Sequence, residues 1–467
     1  MITTKQVGHL LINTMRNILL LICFALMSSF IQGQEILGDW YGSLQIQGTK
    51  LPLVFHIKKQ DSSYSTTMDS PKQMAIGLPV AITTVENSQL LLEAPAMGIK
   101  YTGEYDHTQE IIAGTFQQGG LKLALNLSRD NFTTAINRPQ EPKEPFPYHA
   151  EEIRFYNESD DISLAGTLTT PEGLEKFPVV ILISGSGPQN RNEEIMGHKP
   201  FLLISDFLTR HGIAVLRYDD RGVGKSEGEY ATATSKDLSR DTEAAITYLK
   251  SRKDLKISKL GLIGHSEGGI IAPMIASKSK DVDFIVLLAG AVLRGKDLLL
   301  LQKKLIEEKS GIHDSIVNRS QEVFHGAYEL IASNTKTNDA LKEELAAYFK
   351  EETNLSINAA QTNSLIESMT SPWMQYFIKY DPTTALKEVD IPILALFGKK
   401  DVQVPAIENA LALEKLENKN IEIIQMENLN HLFQESETGM PNEYSEIEQT
   451  MSPKVLNLML EWILERD

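Results

Sequence analysis

The sequence predicts an α/β architecture, a doubly wound and mostly parallel sheet, preceded by a small antiparallel β domain. Three observations predict it. From residue 151 onward, continuous apolar runs of strand length alternate with stretches of helical periodicity, as strands buried on both faces require. Before residue 136 the pattern is different: short, partly alternating runs are separated by Gly, Asn, Asp and Ser, the mark of antiparallel pairing. Between the two regions, residues 137–150 hold Pro139, Pro142, Pro145 and Pro147, which oppose helix and sheet pairing and favour a stiff extended linker.

Residues 1–33 resemble a targeting segment. Arg16 precedes the apolar run Ile18–Met27, which is short for a bilayer span and is followed by small and polar residues. Cleavage near Gly33 and export to the periplasm or the medium are expected, with Met15 as an alternative start and an uncleaved anchor as the competing reading. Cys23 is the one cysteine, so the mature chain is expected to lack disulfides and thiolate chemistry. Residues 34–136 are read as a barrel or sandwich, on Leu51–Ile57, Leu90–Leu92 and the alternating Leu121–Leu127. Gly38-Asp39-Trp40 resembles the opening of lipocalin-like barrels, and the plainer reading of Trp40 is a core aromatic.

In residues 151–467, Ile153–Tyr156 and Ile162–Leu168 open the sheet, and Val179–Ile183 and Ile213–Arg217 are buried strands. Asp237–Lys250 is a helix with one apolar side, and Leu260–Gly264, Phe284–Gly290, Ile391–Gly398 and Ile421–Met426 complete the strands. Pro453–Leu464 is a closing helix that turns Val455, Leu456, Met459 and Ile463 inward.

The chemistry centres on Gly264-His265-Ser266-Glu267-Gly268, which follows an apolar strand and precedes small residues suited to a helix. A Gly-x-Ser-x-Gly turn holds its serine in a strained conformation at the tip of the sheet, on the N-terminus of the next helix. Such a serine needs a base and an orienting carboxylate, supplied in the chain order Ser, Asp, His. Asp401 and His431 each stand just after a strand, so the topology brings all three to one sheet edge. The Glu267 N–H is the expected oxyanion donor on the helix.

Several stretches carry a resemblance: Ser184-Gly185-Ser186-Gly187-Pro188-Gln189, Tyr218–Ser226, Gly264–Gly269, Ser371-Pro372-Trp373 and Phe397–Pro405. On these, the chain from about Glu151 resembles the α/β-hydrolase superfamily, and more narrowly the bacterial serine esterases and aminopeptidase-type hydrolases with a helical lid. Ser184 departs from the histidine that many members carry before the oxyanion-loop glycine. The resemblance implies the Ser186 N–H as second oxyanion donor, with Gly187 as the alternative, and a lid at about 295–376. Trp373, Tyr376 and Phe377, where that insertion rejoins the sheet, are the expected lining of the pocket, with Trp373 and Tyr376 as the substrate-binding residues. Leu298–Leu301 is expected to face the core, with an acyl pocket as the alternative.

The expected activity is cleavage of small-molecule carboxylic esters through an acyl-enzyme. A serine peptidase or thioesterase on the same fold is the alternative, and a binding protein with a vestigial site is the reading from another class. At a formal charge of −17 the 467-residue chain is a poor partner for nucleic acid or an anionic membrane. Gly222-Val223-Gly224-Lys225-Ser226 lacks the first glycine of a phosphate loop, because Asp219 stands there, and Arg221 is expected to brace the site by pairing with a carboxylate. No paired His spacing suggests a metal, and no cofactor is expected. His265 is read as packing away from Ser266, and His198 as lining the site entrance or beginning a helix. Nothing in the sequence sets the oligomeric state.

Overall fold

The structure is a computed structural model. It describes residues 36–46, 49–60, 63–71, 75–118, 121–130, 137–352 and 359–466. The proposed targeting segment, with Arg16 and Cys23, lies outside the described residues. Among the described residues, no helix is long and apolar enough to cross a membrane. The chain divides into two compact units, 1–136 and 137–467.

The first unit is an antiparallel meander. Strands β1 (Gly38–Ile46), β2 (Thr49–Gln60), β3 (Ser63–Ser70) and β4 (Ala75–Val80) form one sheet, and β5 (Ile82–Glu86), β6 (Gln89–Ala94), β7 (Ile99–Asp106), β8 (Ile111–Gln118) and β9 (Leu121–Ala124) another. Past β9 the chain returns to the start, where Tyr41 and Ser128 exchange backbone hydrogen bonds of 2.9 Å. One apolar core serves both sheets, and Trp40, Phe55 and Tyr101 in it are fully buried. Trp40 is thus a core aromatic: its Nε1 donates to Ile36 O at 2.8 Å, and the Arg129 guanidinium lies 3.8 Å over its ring.

The second unit is an eight-stranded sheet. Strands β10 (His149–Asn157), β11 (Ile162–Thr170), β12 (Phe177–Ile183), β13 (Ala214–Tyr218), β14 (Ile257–His265), β15 (Phe284–Leu288), β16 (Ile393–Gly398) and β17 (Ile421–Met426) lie in the order β10-β11-β13-β12-β14-β15-β16-β17. The pairs β10–β11 and β11–β13 are antiparallel and the rest parallel. Strands β12, β13, β15 and β16 are buried along their whole length, which is why β12, β15 and β16 read as unbroken apolar runs, while β13 carries the buried Arg217. Helices α1 (Pro200–Arg210), α2 (Ser235–Ser251), α3 (Gly268–Ala276), α10 (Ala406–Glu414) and α11 (Pro453–Leu464) accompany the sheet.

Between β15 and β16 comes a helical insertion: α4 (Gly295–Lys309), α5 (Asp314–Ser333), α6 (Asn338–Glu352), α7 (Ala359–Met369) and α8 (Pro372–Lys379), followed by α9 (Pro382–Glu388). It has an apolar core of its own, with Ala327, Ile331, Leu341 and Leu345 fully buried. Of the Leu298–Leu301 run, Leu298 packs into the main core, while Leu299, Leu300 and Leu301 are only partly buried.

The proline-rich segment is stitched to the second unit. Gln140 Oε1 accepts from the N–H groups of Thr450 and Met451, and Arg138 donates to Met196 O at 2.9 Å. Prolines keep it out of the sheet, yet side-chain bonds hold it in place.

Candidate active site

Strand β14 ends at His265, and Ser266 turns the chain into α3 with φ at +51°. That conformation is costly for a non-glycine residue, by about 1–3 kcal/mol, and persists only where the surroundings impose it. Here a crossing imposes it. A Cβ on Gly264 would stand 2.0 Å from Gly268 O, and one on Gly268 would stand 2.1 Å from Ile183 O, so only glycine lets the helix pass this close. The Ser266 N–H donates to Leu288 O at 2.9 Å, fixing the turn to the next strand. Ser266 itself is half-exposed.

Asp401 lies just beyond β16 and is buried. Its Oδ1 accepts from the N–H groups of Gln403 and Val404 at 2.7 and 2.8 Å, and its Oδ2 lies 2.7 Å from His431 Nδ1. With the carboxylate acting as acceptor throughout, Nδ1 carries the proton and Nε2 is left as the basic nitrogen. The loop bearing His431 is rigid because the buried Asn430 side chain accepts from Leu432 N–H and Gln434 N–H.

The structure brings Ser266 and His431 together through His265. The His265 Nε2 lies 3.0 Å from His431 O, and the two rings are 4.8 Å apart. No hydrogen bond joins the Ser266 hydroxyl to His431 in this arrangement. Such contacts commonly tighten only with substrate bound.

The loop after β12 supplies backbone donors. Gly185 N–H is taken by Glu193 Oε1 at 2.7 Å and Gly187 N–H by the Tyr230 hydroxyl at 2.9 Å. The N–H groups of Ser186 and Glu267 carry no intramolecular partner among the described residues. Of the two loop residues expected as donors, Gly187 is therefore engaged and Ser186 is free.

Trp373 and Tyr376 part company. Trp373 Nε1 donates to Glu267 Oε1 at 2.7 Å, which joins α8 to the residue after Ser266. Tyr376 instead lines a cavity of about 660 Å³ with Ser239, Arg240, Met274 and Tyr380, to which Ser266, Asp401 and His431 do not contribute.

Several buried residues make contacts that the sequence did not announce. Glu267 is 2% exposed; its Oε1 accepts from Ser235 Oγ at 2.6 Å as well as from Trp373, while its Oε2 has no partner. Burial pushes its carboxyl up, partly offset by those two donors. Asp220 is pushed well up by burial and accepts from Gln189 N–H at 2.9 Å. His265, expected only to pack, makes two polar contacts: Nδ1 lies 2.9 Å from Glu193 Oε1, in addition to the Nε2 bond. Burial alone would lower its pKa, but the charge and hydrogen bond of Glu193 raise it. His198 is buried, with Nε2 donating to Tyr444 O at 2.8 Å, and burial lowers it to about 4. Arg221 pairs with Asp241 at 2.7 Å and with Asp160 at 2.8 Å, the bracing role expected of it. No local signal marks Glu193: the polar run Gln189–Glu194 reads as surface, and only the fold buries it.

Residues 201–437 match the family described as Serine aminopeptidase, S33, a span that holds Ser266, Asp401 and His431 and is about half of the chain. The chain belongs to this hydrolase family. Its sheet and insertion are those of an α/β-hydrolase, and it is an enzyme of the serine hydrolase class. Esterase EstD of Thermotoga maritima is 26% identical over 357 residues, 75% of this chain and 78% of that protein. Among solved structures, the Pyrococcus furiosus esterase PF2001 covers 71% of this chain and 96% of its own at 17% identity and a TM-score of 0.41. Est1E from Butyrivibrio proteoclasticus with ferulic acid covers 67% and 98% at 18% identity and 0.40. Neither likeness bears on what this S33 hydrolase acts upon.

Proposed function

We propose that this S33-family hydrolase cleaves small-molecule carboxylic esters with Ser266 as nucleophile, His431 as general base and acid, and Asp401 as the group that orients the imidazole. The observation that carries the reading is the 2.7 Å contact between His431 Nδ1 and Asp401 Oδ2, which leaves Nε2 as the basic nitrogen of a residue whose backbone O is bonded to the ring of His265, the residue before a serine held at φ +51°. His431 takes the Ser266 proton, the oxygen attacks the acyl carbon, and the resulting oxyanion is met by the Glu267 and Ser186 N–H groups. His431 then returns the proton to the leaving alcohol. Water, activated by the same nitrogen, releases the acid from the acyl-enzyme.

Ester cleavage is preferred to peptide cleavage for a physical reason. An aminopeptidase needs an acid to receive the substrate ammonium, and Glu267, the acid nearest Ser266 in sequence, is 2% exposed with one oxygen taken by Ser235 and Trp373. The esterase name borne by the Thermotoga maritima relative supports the same preference. Export rests on the pattern of residues 1–33 and is proposed with it. A panel of p-nitrophenyl esters, aminoacyl amides and acyl thioesters tests the reading: turnover is expected on the esters, lost in Ser266→Ala. Faster turnover of aminoacyl amides than of every ester would overturn the substrate class.

A further inference from the structure

We propose that Glu193 and His265 form a buried, charged pair that locks the Ser184–Gly187 loop, the Ser266 turn and the His431 loop into one arrangement, acting as positioning residues. The argument is one of donors and acceptors. His265 Nε2 lies 3.0 Å from a backbone carbonyl, His431 O, which can only accept, so Nε2 must carry a proton. His265 Nδ1 lies 2.9 Å from Glu193 Oε1, which also accepts from the Gly185 N–H at 2.7 Å. With Glu193 as a carboxylate, Nδ1 must carry a proton too. The ring that satisfies both contacts is the imidazolium. His265 and Glu193 are 5% and 1% exposed, and a buried charge persists only when paired and hydrogen-bonded; here both ring nitrogens of His265 and Oε1 of Glu193 have partners.

The three partners are the three parts of the proposed chemistry. Gly185 stands one residue before Ser186; an added Cβ there would be 3.2 Å from both Glu193 Oε1 and Ser266 Cβ. His265 precedes Ser266, and His431 O belongs to the residue proposed as base. Glu193 itself is held at φ +49°, a strained conformation for glutamate, with its N–H donating to Asn190 O at 2.8 Å and the neighbouring Asn192 bonded to Arg217. The Glu193 carboxylate touches the Gly185 N–H and the His265 ring directly and reaches the His431 loop through that ring, the arrangement a positioning role requires. The groups facing His265 are Glu193, the His431 ring and, at longer range, Asp401.

The effect on turnover rests on the serine hydrolase reading; the charged state of His265 does not. The intact protein labelled with ¹⁵N-histidine, its His265 signal assigned by loss in His265→Asn, is expected to show both ring nitrogens protonated at pH 7.5. A neutral His265 tautomer at that pH would overturn the pair, whatever the enzyme does. In Glu193→Gln, which keeps the shape and removes the charge, kcat on the best ester is expected to fall roughly 10- to 100-fold with KM within about twofold. An unchanged kcat in a folded Glu193→Gln protein would overturn the positioning role, and should that variant fail to fold, kcat of His265→Asn is read in its place, with the same expected fall and the same overturning result. Failure of Ser266 to take up a fluorophosphonate would count against the hydrolase reading alone.

Discussion

The interior of the N-terminal unit and the carboxyl edge of the eight-stranded sheet both bury side chains, and they are filled in opposite ways. Among the described residues, the N-terminal unit buries Thr66 and Ser70 as its polar side chains, and its centre is Trp40, Phe55 and Tyr101 among aliphatic groups. The sheet edge buries Glu193, Asp220, His265, Glu267, Asp401 and His431 within a few strands of one another. Apolar burial stabilises without specifying direction. Buried charges cost desolvation, which hydrogen bonds must offset, and each bond fixes an orientation. The first interior is built for stability and the second for geometry.

That contrast predicts where substitutions tell. The largest effect is expected at Ser266. Ser266→Ala should lower kcat on the best ester by on the order of 10⁶ while the melting temperature stays close to wild type, checked by steady-state kinetics and calorimetry on the same sample. Asp401→Asn should lower kcat on the order of 10⁴, because the amide can no longer hold His431 Nδ1 as a donor. A loss below tenfold would mean that the imidazole is oriented by something else.

On the other side, Trp40→Ala removes the largest buried ring of the N-terminal unit and the platform under Arg129. It should cost that unit about 3–5 kcal/mol of unfolding free energy in a urea titration. Retention of full stability would break the comparison.

The smallest effect is set by pH, through two buried histidines of opposite sign. The unfolded chain protonates His198 near pH 6.5, whereas the native site resists until about pH 4, so stability falls as pH drops through that window. His265 is raised, so its contribution is fully present below pH 6.5 and is lost as pH climbs through its native value. His198→Gln should therefore flatten the acid-side loss between pH 6.5 and pH 4 in denaturation curves, and leave the alkaline side alone.

Much of this was open to a reader of the sequence, for physical reasons. Val179–Ile183 and Phe284–Leu288 lie in a sheet covered on both faces, so they had to be continuous apolar runs. Ser266 announced itself because the crossing of α3 over the strands demands glycine at 264 and 268. Asp401 and His431 followed from chain order and from strand ends. What stayed hidden depends on contacts between distant loops: nothing local distinguishes Glu193 from a surface acid, or His265 from a core histidine, until 72 residues of separation close to 2.9 Å. Trp373 and Tyr376 sit three residues apart on α8, yet one reaches Glu267 and the other a separate cavity. The proline-rich segment declared what it cannot form, and its bonds through Arg138 and Gln140 were set by the surface it meets.

The central claim is that Ser266 is a nucleophile activated by His431. It is tested most directly by mapping the adduct of a fluorophosphonate on the intact protein and timing its formation. A single adduct on Ser266, formed on the order of 10³-fold more slowly or not at all in His431→Ala, is the predicted result. An adduct at another residue, or labelling of Ser266 at the same rate without His431, would contradict it.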